Sequence, residues 1–278
     1  MNKPLILIDT SYTSFYRFFA TIRWFSFAFP EEFKELKSDN KYDWSKNEIF
    51  IKKYEKMYLE SIIKLVKKKI FDNSKIFFCM DTPKEQLWRM EIQNDYKSGR
   101  ADLSLKHNFR TTFDYTYDIM IPKFIEQYKN INKIRIDEVE ADDIIACICM
   151  HFETIDSEQK IYLVSGDEDF LQLGRDNLIF INYKKKKPFV LTKDEAKSNL
   201  INKILNGDSS DNIQSIFPKG TRNKKEIIES EIKLKNYLEI NSDSKKQYDK
   251  NKLMIDFNNI PKNYFNKIIK IFNNLFSI

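Results

Sequence analysis

The chain has 278 residues, 42% of them apolar and 32% charged in both signs, which is long enough for one large core and argues against wholesale disorder. No apolar run reaches the ~18 residues of a membrane-spanning helix, and three cysteines without CxxC spacing argue against a disulfide framework or a zinc site. Against 41 acidic residues stand 47 basic ones, a net charge of +6 that by itself points only weakly to an anionic partner.

The N-terminal "MNKPLILID" is too short for a signal peptide and turns acidic at once, so a soluble, intracellular protein is expected. "PLILID" runs Leu5–Ile8 into Asp9, and an unbroken apolar run suits a parallel strand buried on both faces. "SFYRFFATIRWFSFAF", 14–29, reads as a packed helix, with Trp24 or Phe25 lining the route to a site. Residues 47–71 place Ile49, Tyr54, Met57, Tyr58, Ser61, Ile62, Leu65 and Val66 near helical spacing, with lysines on the other face. "KIFFCMD" repeats the first pattern, running Ile76–Met80 into Asp81. "EADDIIACICMHF", 140–152, predicts a helix opening on Glu140, Asp142 and Asp143. "KIYLVSGDEDFLQL", 160–173, predicts a strand over Ile161–Val164 that passes through Gly166 into Asp167 and Asp169. The run Lys184–Lys187, between "LIFINY" and "PFVLT", reads as a hairpin tip with solvated charges. "GDSSDN" sets Asp208 and Asp211 three apart after Gly207, and 239–252, "EINSDSKKQYDKNK", reads as a mobile polar loop.

Strand–helix–strand order implies an α/β fold with a parallel, doubly wound sheet, in which ligands bind beyond the C-terminal strand ends. Three apolar strands end in Asp, and Glu140, Asp142, Asp143, Asp169, Asp208 and Asp211 join them to make nine carboxylates. If they converge, they cannot stay ionised together without cations. Oxygen ligands without His or Cys suit Mg²⁺ or Mn²⁺, and nine acids suggest two ions with an outer shell. Two such ions, roughly 3.5–4 Å apart, clamp both oxygens of an in-line phosphoryl displacement. Setting the nine acids aside leaves 32 against 47 basic residues, a balance of +15 that fits a basic surface holding a phosphate backbone over an acidic cutting pocket.

"LILID", "CMDTPKEQLWRMEIQNDYKSGR", "VEADDIIA", "SGDEDFLQL" and "GDSSDNI" stand in the order found in the 5′-nuclease (flap endonuclease) family, and over residues 3–270 the chain resembles that family, most of all its T-even phage ribonuclease H group. The resemblance implies a PIN-like core over 1–200 and a helical clamp or arch over 84–135. It implies a helix–three-turn–helix duplex-binding region with C-terminal helices over 201–278. It implies Mg²⁺-dependent removal of nucleotides from 5′ ends of DNA or RNA–DNA, flaps and primers included, by a monomer acting in the cytoplasm, phage-encoded and working in the infected cell. A first metal cluster would draw on Asp81, Glu140, Asp142, Asp167 and Asp9, and a second on Asp143, Asp169, Asp208 and Asp211. Recruitment by a single-strand-binding protein or a sliding clamp is left open.

The family's YKxxR pattern places Lys97 and Arg100 at the scissile phosphate, with Arg89 and Tyr96 as further nucleic-acid contacts and Tyr96 stacking on a base. One departure stands out: a Gly-rich phosphate-binding hairpin is replaced by "IQSIFPKGTRNKKEII", 213–228, where Lys219, Arg222, Lys224 and Lys225 are the remaining phosphate contacts and a monovalent-ion site is in doubt. Two alternatives remain: a catalytically inactive DNA-binding protein on the same fold, and a PIN-type ribonuclease, which the length and the GDSSDN region argue against.

Overall fold

The computed structural model describes residues 3–100, 108–185 and 187–276. Strand β1 (Leu5–Asp9) leads into helices α1 (Thr10–Ala28), α2 (Pro30–Lys37), α3 (Glu48–Val66) and α4 (Lys68–Asn73), then strand β2 (Lys75–Met80). Short helices α5 (Arg89–Ile92), α6 (Arg110–Tyr115) and α7 (Ile121–Gln127) precede strand β3 (Ile131–Arg135). Helix α8 (Ala141–Ile155) connects to strand β4 (Ile161–Val164) and strand β5 (Leu178–Ile181). The rest is helical: α9 (Lys193–Asn206), α10 (Lys224–Ile228), α11 (Glu231–Ile240), α12 (Ser242–Ile255) and α13 (Lys262–Phe276).

The five strands form one sheet in the order β3-β2-β1-β4-β5, every pair parallel, with Leu5 in register with Lys75 and Ile161. The chain steps from β1 outward to β3, then returns to the other side of β1 with β4. That reversal makes the crevice at the C-terminal ends of β1 and β4 the expected ligand site. Apolar side chains leave the strands on both faces. Leu5, Leu7 and Phe77 join α8 and α13 in one core, and Ile6, Ile8 and Phe78 join α1 and α3 in the other. Two fully buried faces explain why the strands read as unbroken apolar runs.

The segment 84–135 ends in β3, a strand of the central sheet, and 101–107 within it lie outside the described residues. Residue 200 lies within α9, and α13 packs back on the main core, where Ile268 and Phe272 are fully buried. Two expectations are corrected. Residues 242–255 are helix α12, not a loop. Its inward stripe is partly polar: Ser244 donates to the Ile216 carbonyl at 2.8 Å, and Asn251 Nδ2 donates to the carbonyls of Ile204 and Gln214, both at 2.8 Å. Phe25 is packed against Trp44 and Phe50 in the core, and Trp24 lies against Phe29 and Lys53, so neither lines a route to the strand ends. The lysine run does sit at a turn, closed by an antiparallel bridge between Phe180 and Phe189; Lys186 lies outside the described residues.

Candidate active site

Each strand end delivers its acid by local geometry. Asp9 caps α1, accepting the Tyr12 N–H at 3.0 Å and the Ser165 hydroxyl at 2.7 Å. Asp81 follows β2 and accepts the Ala141 N–H at 2.7 Å, with a second bond from the Ser11 hydroxyl. Asp167 follows β4 and accepts the Asp169 N–H at 2.9 Å. A Cβ at Gly166 would run into the Tyr12 ring end, so any larger residue there needs that ring to move. The GDSSDN turn is held at the end of α9 by Gly207, whose φ of +70° and close approach to the Ile213 carbonyl shut out any side chain.

These acids line adjoining spaces. A cavity of about 500 Å³ is bordered by Asp9, Asp81, Asp142, Asp167 and Lys97. A narrow gap beside it is bordered by Glu140, Asp142, Asp169, Lys203, Asp208 and Asp211, so Asp142 belongs to both. Among the described residues, Asp169, Asp208 and Asp211 bring ligand oxygens within 4.8 Å of one another. Eight of the nine sequence-predicted carboxylates thus border these two spaces.

The electrostatics divide the eight. Burial, then the Asp81 charge, pushes the Asp9 carboxyl up to about 7. Burial raises Asp81 as well, against the pull of Lys97, and burial with Asp167 and Asp9 drives Asp142 well above the carboxylate range. Burial would raise Glu140 too, but Lys97 and then Arg89 override it and hold it down at about 2. Asp208 is likewise brought to about 2, Lys203 and Ser210 outweighing partial burial. The donor set is all oxygen, and the acids in the main cavity resist ionising together. Both features fit a divalent cation of the Mg²⁺ class, whose charge would favour the ionised forms. No helix among the described residues is long and apolar enough to cross a membrane.

The ninth acid does something else. Asp143 is fully buried, takes both Arg89 Nη groups at 2.9 and 2.8 Å, and accepts the Trp88 indole N–H at 2.9 Å. Arg89 is itself 3% exposed and also donates to Glu140 and to the Met254 carbonyl. Asp143 is therefore withdrawn from the ligand set and Arg89 from the nucleic-acid surface, because each satisfies the other in a dry interior. Tyr96 is 4% exposed, and its hydroxyl stands 3.1 Å from a carboxylate oxygen of both Glu140 and Asp211, sharing its one proton between them, so it braces the acids and offers no ring face to a base. Lys97, with a φ of 57°, is set by its N–H to the Asp211 carbonyl, and its ammonium pairs with Glu140 and, at 3.9 Å, Asp211. Arg100 ends a short turn, Ser98–Arg100, and its side chain lies outside the described residues.

Sequence reasoning missed Lys203, whose ammonium pairs with Asp169 and, at 2.9 Å, with Asp208. Its position in the last turn of α9, five residues before Asp208, was the available signal. It also missed the aromatic wall of the cavity, made by Tyr12, Phe15, Phe109 and Phe113. The phosphate-contact candidates Lys219, Arg222 and Lys225 are exposed, on or just after a turn in which Gly220 has a φ of +85°, and Lys224 lies 5.2 Å over the Phe217 ring.

A parallel sheet with carboxylates massed at its switch point suits metal-assisted phosphoryl chemistry, and comparison with known proteins gives the family. The model for the 5′-3′ exonuclease N-terminal resolvase-like domain matches residues 4–201, and the chain belongs to that family. It is 29% identical over 237 residues to the ribonuclease H of bacteriophage T4, covering 78% of this chain and 76% of that protein. It is also 29% identical over 179 residues to a 5′-3′ exonuclease of Mycoplasmopsis pulmonis, covering 62% of this chain and 56% of that one. Among solved structures, bacteriophage T5 5′-exonuclease with bound zinc superposes with a TM-score of 0.64 at 15% identity, over 100% of this chain and 99% of that one. The T5 flap endonuclease in a pseudo-enzyme-product complex with DNA and metal ions gives 0.62 at 15% identity, over 99% of this chain and 100% of that one, a likeness of fold.

Proposed function

We propose that the protein is a Mg²⁺-dependent 5′-nuclease that hydrolyses phosphodiester bonds near 5′ ends of DNA and RNA–DNA, flaps and primers included. The observation that carries this reading is the convergence of Asp9, Asp81, Glu140, Asp142, Asp167, Asp169, Asp208 and Asp211 from five separate segments on two adjoining spaces. Asp9, Asp81, Asp142 and Asp167 would hold one ion, Asp169, Asp208 and Asp211 would hold or hydrate a second, and Glu140, paired with Lys97 and Arg89, would add negative charge beside them; Mn²⁺ would substitute. When bound, the ions would supply a water of lowered pKa and neutralise charge on the leaving oxygen.

The chain's own groups complete the site. Lys97, braced by Glu140 and Asp211, presents a fixed ammonium beside the cavity for the charge that builds on the scissile phosphate. Lys203 offsets part of the repulsion among Asp169 and Asp208. Tyr12, Phe15, Phe109 and Phe113 offer apolar faces to the bases flanking the cut, the role that buried Tyr96 cannot fill. Lys219, Arg222, Lys224 and Lys225 contact backbone phosphates of the duplex away from the cut.

The test is digestion of 5′-labelled flap, nicked and RNA–DNA hybrid substrates with Mg²⁺, with product lengths mapped. Asp81→Asn should cut about 10²–10³-fold more slowly while binding the flap substrate as tightly as the parent, on the scale of losing a principal charge-stabilising group. Full turnover by that variant ends the reading.

A further inference from the structure

The arrangement around Asp81 extends beyond the acids. Its carboxylate is gripped on both oxygens: Oδ1 by the Ala141 N–H in the first turn of α8, and Oδ2 by the Ser11 hydroxyl in the first turn of α1. Ser11 has one proton to give and gives it to Asp81. Its 2.8 Å contact with the Tyr117 hydroxyl must then run the other way, Tyr117 donating and Ser11 accepting. Tyr117 stands in a π-helical stretch, Thr116–Met120, between α6 and α7, where the Ile121 N–H reaches the Thr116 carbonyl five residues back. One-turn π insertions are rare and concentrate at functional sites. This one is locked on both sides. Thr116 bonds the Tyr54 hydroxyl at 2.8 Å, and Met120 and Ile121 are fully buried. The Arg135 guanidinium lies 5.6 Å from the centre of the Tyr117 ring. Tyr117 is thus placed by the fold, not by the acids it reaches.

We propose that Tyr117 and Ser11 form a positioning relay that fixes the Asp81 carboxylate for metal binding, so that a π-helical turn in the segment over the site sets the affinity of the catalytic ion. The proposal rests on the metal-nuclease reading and deepens it. A carboxylate held on one oxygen only can turn about its terminal torsion, which is broad. Held on both, it presents its remaining lone pairs in one direction. Neither Ser11 nor Tyr117 carries a charge to the ion, so each acts through Asp81.

Mn²⁺ binding measured by calorimetry on the DNA-free protein separates this role from catalysis. Ser11→Ala should weaken Mn²⁺ binding about 10–100-fold, the usual scale for an outer-shell partner of a metal ligand. Tyr117→Phe should weaken it about 5-fold, the value of one hydrogen bond. The double variant should match Ser11→Ala, because Tyr117 works through Ser11, and Ser11→Thr should restore binding. In cleavage assays the half-saturating Mg²⁺ concentration should rise in the same order, while the rate at saturating Mg²⁺ changes less. Parent-like Mn²⁺ affinity in both single variants overturns the proposal, and so does a double variant whose loss is the product of the two. Failure of the parent protein to bind Mn²⁺ removes the metal reading itself, a different result.

Discussion

Two carboxylate clusters share the first turn of α8. On its inner side, Asp143 meets Arg89, Trp88 and Glu140 with its oxygens saturated by donors and no access to water. On its outer side, Asp142 faces Asp9 and Asp167 across the cavity, and its carboxyl is driven upward by burial and by those like charges. The residues are adjacent in the chain and differ only in what the fold sets against them. A buried acid given a guanidinium becomes part of the scaffold, and one facing mostly other acids calls for a cation from outside.

Breaking the paired side should cost most. Arg89→Met leaves Asp143 buried without its counter-charge and should destabilise the protein by about 3–5 kcal/mol. Added Mg²⁺ should not recover that loss in thermal or urea unfolding. A loss below about 1 kcal/mol, or one that metal repairs, would erase the distinction between the two sides.

The crowded side should respond with the opposite sign. Folding raises Asp9 from 3.8 to about 7, so the metal-free folded state binds the extra proton and loses stability as pH rises from about 4 to 7. Asp9→Asn keeps the acceptor for the Tyr12 N–H and removes the charge. It should stabilise the metal-free protein by on the order of 2 kcal/mol at pH 8 and by nothing measurable at pH 4. Unfolding curves at the two pH values in EDTA check this, and an equal effect at both would refute the electrostatic origin.

Between these extremes lies Lys203, a partial neutraliser in a half-open setting. Lys203→Met should change stability by less than about 1 kcal/mol, because water screens the partly exposed pair. The Asp208 share of that stability is present above the ordinary carboxylate pKa and is lost as pH falls towards about 2, so the variant should differ from the parent least in acid. A loss on the scale of Arg89→Met would move the second cluster into the scaffold class.

Legibility followed the same physics. Apolar runs ending in Asp showed β1, β2 and β4, because strands buried on both faces leave an unbroken trace. β3 left none: Asn132, Lys133 and Arg135 break its apolar run at the edge of the sheet, where exposure tolerates them. Helix α12 was hidden because its buried stripe includes Ser244 and Asn251, which are satisfied by carbonyls of distant segments that no local pattern reveals. Lys203 and Tyr117 carried no motif, and their roles exist only where chain segments meet.

The set of acids, their placement at strand ends and turns, and the excess of basic residues elsewhere are legible in the chain alone, since they depend on residue type and local spacing. Tertiary structure decided which acid was spent on Arg89, which lysines stand among the carboxylates, and which tyrosine braces Asp81. The reason is that the ionisation and reach of a buried group depend on its neighbours within a few ångströms, and those neighbours come from parts of the chain up to a hundred or more residues away.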